Sequence, residues 1–126
     1  MTKKNILIVD DSFVMRALLR GIVTSDPDLA VCGEATNGLE AVQQVKEVAP
    51  DLVLLDIEMP GMDGLTAAHE IRRIEVTEAL KMTPIVAMTA HVLDEDRILA
   101  QKAGMQDFLI KPVSADEFQR VLTKFL

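Results

Sequence analysis

Residues 52–56 read Leu-Val-Leu-Leu-Asp, and residues 6–11 repeat the device as Ile-Leu-Ile-Val-Asp-Asp. Each is a short apolar run closed by carboxylate. Runs this short, unbroken rather than alternating, suit strands covered on both faces. The same reading places strands near residues 5–9, 30–35, 52–56, 84–89 and 107–111.

Segments of helical period lie between these runs. Leu39, Val42, Val45 and Val48 recur at three-residue steps behind Asn37, with Glu40 completing a partial capping box. Ser114 and Glu117 stand in the same relation ahead of Phe118, Val121, Leu122 and Phe125. A third helix is expected after Asp63-Gly64, carrying Leu65, Ala68 and Ile71 inward, and a fourth from about Asp94 to a C′ glycine at Gly104. Strand and helix thus alternate five times. That pattern predicts an α/β fold, a parallel sheet with right-handed crossovers and helices on both faces. Five strands are too few for an eight-stranded barrel, so the sheet is open. Ligands of such sheets bind outside the strand carboxyl ends, where the strand order reverses. For the order 2-1-3-4-5 that point falls between strands 1 and 3, where Asp10, Asp11 and Asp56 stand.

Three carboxylates in one crevice repel, which raises at least one pKa unless a cation sits among them. An all-oxygen cluster suits a hard divalent ion such as Mg²⁺. Two other strands end in Thr89, after Pro84-Ile85-Val86-Ala87-Met88, and in Lys111, after Phe108-Leu109-Ile110. An acid trio, a hydroxyl and an ammonium together make a site for a phosphoryl group.

Composition narrows the field. A chain of 126 residues with 49% hydrophobic content makes one domain, residues 1–126. No run approaches the roughly 20 apolar residues of a membrane span, and Met1-Thr2-Lys3-Lys4, leading directly into the expected first strand, lacks the long apolar segment of a signal peptide. The net charge of −7 disfavours direct binding to nucleic acid or an anionic membrane. Cys32 is alone, so no internal disulfide forms, and a reducing cytoplasm is the expected setting. Four aromatics, all Phe, leave little for base stacking.

The stretches VDDS at 9–12, LLDIEMPGMDG at 54–64, MTA at 88–90 and LIKP at 109–112 resemble the receiver domain of bacterial response regulators. The resemblance spans nearly the whole chain. The first half is similar to receivers of chemotaxis methylesterases and the second half to receivers of hybrid sensor kinases; one natural stand-alone regulator could carry both, and an engineered or recombined chain is the lesser alternative. The resemblance implies a flavodoxin-like sheet of order 2-1-3-4-5. It implies Asp56 as acceptor of a phosphoryl group from a phosphohistidine or a small acyl phosphate. Asp10 and Asp11, with Asp56 and the Glu58 carbonyl, would hold Mg²⁺, while Thr89 and Lys111 would meet phosphoryl oxygens. It implies a cis Lys111-Pro112 bond, and a switch running from Thr89 to an aromatic on strand 5, here Phe108. It implies chemotaxis-like two-component signalling without conventional enzyme turnover beyond self-phosphorylation and self-dephosphorylation. Partners would be a histidine kinase or phosphotransfer protein, and an output protein or excised effector domain reached through residues 94–126. The species would be a monomer or a weak phosphorylation-dependent dimer.

Glu58 and His91 lie two residues beyond Asp56 and Thr89, placed to tune access of hydrolytic water. Met59 and Met62 are expected to fill gaps, because thioethers do not suit Mg²⁺. Asp11 or Ser12 is placed to cap the first helix. A constitutive interaction module of the same fold is the alternative, against which the intact acid trio, Thr89 and Lys111 argue. A hydrolase would need a pocket or cap that these short loops do not supply. A flavin site would need a glycine- and hydroxyl-rich loop where Asp10-Asp11 stands.

Overall fold

The computed structural model describes residues 3–90 and 94–126. Its elements are β1 (Lys4–Val9), α1 (Phe13–Thr24), β2 (Leu29–Ala35), α2 (Gly38–Val48), β3 (Leu52–Asp56), α3 (Gly64–Thr77), β4 (Ile85–Thr89), α4 (Asp94–Lys102), β5 (Asp107–Ile110) and α5 (Ala115–Phe125). All pairings are parallel, in the order β2-β1-β3-β4-β5. Each strand lies within a residue or two of its expected position.

The apolar runs create two cores, one on each face of the sheet. Leu7, Val9, Val53, Leu55, Ile85 and Ala87 pack with α2, α3 and α4 through Ala41, Val45, Ala68, Ile71 and Ala100, and with Ala103 just beyond α4. Ile6, Ile8, Leu52, Leu54, Val86 and Met88 face α1 and α5 through Leu19, Val23, Phe118, Val121 and Leu122. Successive strand residues point to opposite faces, so an unbroken apolar run serves both layers. That reading holds for β1, β3 and β4. The sheet edges depart from it: β5 exposes Ile110 and half-buries Asp107 and Phe108, because an edge strand is covered less completely.

The helix ends follow the sequence closely. Ser12 accepts from Met15 N, Asn37 from Glu40 N, Asp63 from Thr66 N and Ser114 from Glu117 N. The cap of α1 is therefore Ser12 rather than Asp11. The reciprocal half of each capping box is missing. Glu40 turns to the Thr36 N–H and hydroxyl, and Glu117 to Arg120. Gly104, at φ +95°, ends α4 in a Schellman arrangement, with Met105 N bonded to Ala100 O and Gly104 N to Gln101 O. One helical face differs from expectation. Leu39 is 57% exposed, and α2 buries Gly38, Ala41 and Val45 instead. Steps of three drift backwards around a helix of 3.6 residues per turn, so Leu39 and Val48 cannot share one centred stripe.

A buried polar hub fastens the far end of the sheet. Arg72 donates to Gly104 O (2.9 Å), Glu75 Oε1 (2.6 Å) and Gln106 Oε1 (2.9 Å). Glu75, 6% exposed, also accepts from Thr83 N, and Gln106 Oε1 from Ile85 N. One guanidinium thereby ties α3 to the α4–β5 turn.

Candidate functional site

The carboxyl ends of β1, β3 and β4 and the residue after β5 converge on one crevice. Asp10 follows β1 and is fully buried; its N–H donates to Ala35 O on β2 (3.0 Å) and its Oδ1 accepts from Ser12 N (2.9 Å). Asp56 ends β3 at 2% exposure, and its Oδ1 accepts from Glu58 N (2.9 Å). Asp11 is exposed at the mouth. The three carboxylates bring oxygens within 4.8 Å of one another. Close approach of α3 permits this. A Cβ on Gly64 would stand 2.3 Å from Asp56 O and 2.6 Å from Ile57 Cα, so only glycine lets the helix start against the end of β3.

Lys111 enters from beyond β5, its N–H bonded to Thr89 O (2.8 Å), ahead of the cis Lys111-Pro112 bond. Its Nζ stands 2.8 Å from Asp10 Oδ2 and 2.9 Å from Asp56 Oδ2. Burial raises the Asp56 pKa above the usual carboxylate range, and the Glu58 N–H and Lys111 only partly offset it. Burial works against the Lys111 charge, yet the two carboxylates outweigh it and hold the ammonium pKa above normal. The Asp56 direction follows chiefly from burial and the Lys111 direction from its two carboxylate partners.

The donor set fits a hard cation. Asp10 Oδ2 is buried and receives no well-directed hydrogen bond; its contact with Lys111 is an ion pair alone. An unmet lone pair between two other carboxylates, one open to solvent, suits an oxygen-coordinated ion that keeps part of its water shell.

Thr89 is fully buried at the end of β4, and its hydroxyl donates to Glu58 Oε1 at 3.2 Å. Among the anticipated residues, Glu58 therefore contributes its side chain as well as its position. Phe108 is partly buried against the α2–α4 core, with the Arg97 guanidinium 5.7 Å from its ring centre. Met59 is buried and Met62 partly so, both as packing. His91 lies outside the described residues. Sequence reasoning did not anticipate Arg16, whose Nη1 donates to Asp10 O at 2.8 Å. Its position one turn into α1 behind the acid pair is the signal that was available.

An open 2-1-3-4-5 sheet with paired acids, a strand-end aspartate, a strand-end hydroxyl and a lysine before a cis proline defines a phosphoacceptor switch. The chain belongs to the response regulator receiver domain family, which it matches over residues 6–123. It is 40% identical to the chemotaxis protein CheY of Bacillus subtilis over 121 residues, 96% of either chain. It is 41% identical over 113 residues to the protein-glutamate methylesterase/protein-glutamine glutaminase of Pyrococcus abyssi, covering 90% of this chain but 30% of that protein. The response regulator domain of Thermotoga maritima CheB superposes with a TM-score of 0.84 at 32% identity, covering 98% of this chain and 96% of that one. The chain is thus a chemotaxis-regulator-like signalling switch, and its class binds Mg²⁺ at an acidic pocket and works through kinases, phosphotransfer proteins and output domains. No helix among the described residues is long and apolar enough to cross a membrane.

Proposed function

We propose that residues 1–126 act as one receiver domain in which Asp56 is the phosphoacceptor, Asp10 and Asp11 hold Mg²⁺ with Asp56 and the Glu58 carbonyl, and Thr89 and Lys111 receive the phosphoryl oxygens. The observation that carries this reading is Lys111 Nζ, within 2.9 Å of Asp56 Oδ2 and 2.8 Å of Asp10 Oδ2. Phosphoryl transfer asks the protein for positioning and charge neutralisation more than covalent help. Bound Mg²⁺ supplies neutralisation of phosphoryl oxygens and of the acid cluster. Lys111 holds Asp56 ionised and aimed, with Oδ1 fixed by the Glu58 N–H and Oδ2 facing the Lys111 ammonium. Attack by that oxygen forms an acyl phosphate and releases the donor's imidazole or carboxylate. The Thr89 hydroxyl then exchanges the Glu58 carboxylate for a phosphoryl oxygen, and Phe108 responds to the space so vacated. Residues 94–126 carry the change to a partner. A histidine kinase or phosphotransfer protein is the donor, in keeping with the Saccharomyces cerevisiae Ypd1–Ssk1 receiver complex, whose receiver is 30% identical with a TM-score of 0.86 over 98% of this chain and 89% of that one.

Glu58 and His91 tune the phosphoryl lifetime; unchanged dephosphorylation in both Glu58→Ala and His91→Ala refutes that assignment. The central test is intact-protein mass after acetyl phosphate treatment, with and without Mg²⁺, for wild type and Asp56→Asn. A single adduct needing both Mg²⁺ and Asp56 supports the reading. No adduct in wild type would turn it toward an unphosphorylated interaction module.

A further inference from the structure

We infer that Arg16 is the positioning residue of the acidic site: braced on Glu34, its guanidinium fixes the Asp10 carbonyl and so holds the β1–α1 loop in the geometry that gathers a divalent cation. The inference rests on reading Asp10, Asp11 and Asp56 as the metal site.

Four contacts build the brace. Arg16 Nη1 donates to Asp10 O at 2.8 Å, and Arg16 Nε lies 3.3 Å from Glu34 Oε1. The other Glu34 oxygen is held by Arg20, which donates from both Nε and Nη2. Asp10 N donates to Ala35 O, the residue after Glu34. The two peptide units that flank the Asp10 Cα are thereby fastened to the end of β2, one through the backbone and one through Arg16. The Arg16 side chain is only 14% exposed, so water competes little with these bonds.

The placement is chemically costly unless it serves the loop. A buried cation one turn from a cation site repels the incoming ion, and Arg16 donates to a backbone carbonyl, not to a site carboxylate. What it controls is direction. The Asp10 carbonyl sets the plane from which the Asp10 side chain and the next residue, Asp11, project. The planar fork bonds a carbonyl from Nη1 and meets a carboxylate from Nε in one fixed geometry, which the single ammonium nitrogen of a lysine does not reproduce. Outer partners of metal ligands commonly govern affinity by about ten- to hundredfold.

Positioning and simple electrostatics predict opposite signs. Removing a like charge should tighten Mg²⁺ binding; removing a brace should weaken it. The experiment is calorimetric titration of the full chain with MgCl₂, at a temperature well below each variant's melting point, for wild type, Arg16→Ala, Arg16→Lys and Glu34→Ala. Positioning predicts that Kd for Mg²⁺ rises about tenfold or more in both Arg16 variants. Glu34→Ala, which leaves Arg16 present but unbraced, should shift Kd in the same direction and serves if the Arg16 variants do not fold. An unchanged or lower Kd in Arg16→Ala overturns the inference, as does a wild-type Kd in Arg16→Lys. A lowered melting point with unchanged Kd would assign Arg16 to stability alone and overturn it too. Failure of wild type itself to bind Mg²⁺, or to form the Asp56 adduct, removes the underlying site reading and the inference with it.

Discussion

Replacing Lys111 with methionine keeps most of the unbranched side chain and removes its charge. The ammonium now sits between two carboxylates, one fully buried and one 2% exposed, and is itself 17% exposed on its side chain. Deleting one partner of a buried ion pair costs about 3–5 kcal/mol, because the remaining charge is stranded. Lys111 retains some solvent, and Asp56 can relieve part of the loss by taking a proton, so the lower end applies: about 3 kcal/mol near pH 7 without metal. For a domain of this size that is roughly 10–12 °C in Tm. The pH dependence has a fixed sign. A carboxyl whose folded pKa is raised, as for Asp56, gives stability fully present below its unfolded value near about 4 and lost as pH rises through the folded pKa. Without Lys111 that folded pKa rises further, so the deficit of Lys111→Met is greatest at neutral pH and shrinks toward about pH 4. Lys111, its own pKa raised, stabilises wild type below its unfolded value of about 10.4, and this is lost as pH rises through the folded pKa. The variant lacks that alkaline limb. Urea melts in chelator-treated buffer, across this pH range, measure both effects. Adding Asp56→Asn to Lys111→Met should recover at least about 1 kcal/mol relative to additivity, since one of the two carboxylates left without the lysine is gone. A loss below about 1 kcal/mol, or strictly additive variants, would refute the account of the crevice as a charge cluster held by one lysine.

Two other outcomes follow from the same geometry. Mg²⁺ should raise the Tm of wild type by mass action, about 2.7 kcal/mol of stabilisation at a hundred times Kd, and Asp11→Asn should blunt the gain without lowering the metal-free Tm, because Asp11 is exposed; equal gains in both, followed by differential scanning calorimetry, would exclude Asp11 as a ligand. Gly64→Ala should destabilise by about 2 kcal/mol or more and slow adduct formation, since the new methyl meets backbone at Asp56 and Ile57 that no rotamer change can clear; an adduct rate equal to wild type would show that the start of α3 does not set the site.

What could be read from the chain, and what could not, divides along a physical line. Asp10, Asp56, Thr89 and Lys111 were legible because each closes an apolar run, and parallel strands deliver their ends to one edge. Ser12, Asn37, Asp63 and Ser114 were legible because a cap acts within three residues. The exposed Leu39 was misread because even three-residue spacing overruns the helical pitch. Arg16, whose place behind the acid pair gave only a weak local signal, was missed for another reason, as were Glu34 and the hub of Arg72, Glu75, Gln106 and Thr83. Their partners lie 3 to 34 residues apart along the chain, and no local pattern marks which polar side chain will be buried beside which. The bond from Thr89 to Glu58 is of the same kind, joining ends of neighbouring strands. Polar side chains that bridge elements are set by tertiary packing, which periodicity does not encode.

The Arg72 hub gives α4 a mechanical character. With the turn that follows it fastened through Gly104 and Gln106, any rotation of this helix would pivot at its C-terminal end. Nine residues span about 13 Å, so a swing of about 10° displaces the first turn by roughly 2 Å while barely moving the last. The first turn is also where Asp94, Glu95 and Asp96 sit, so the largest excursion falls on the most negatively charged stretch of the helix. A small rotation about that end would thereby be expressed as a displaced patch of negative charge.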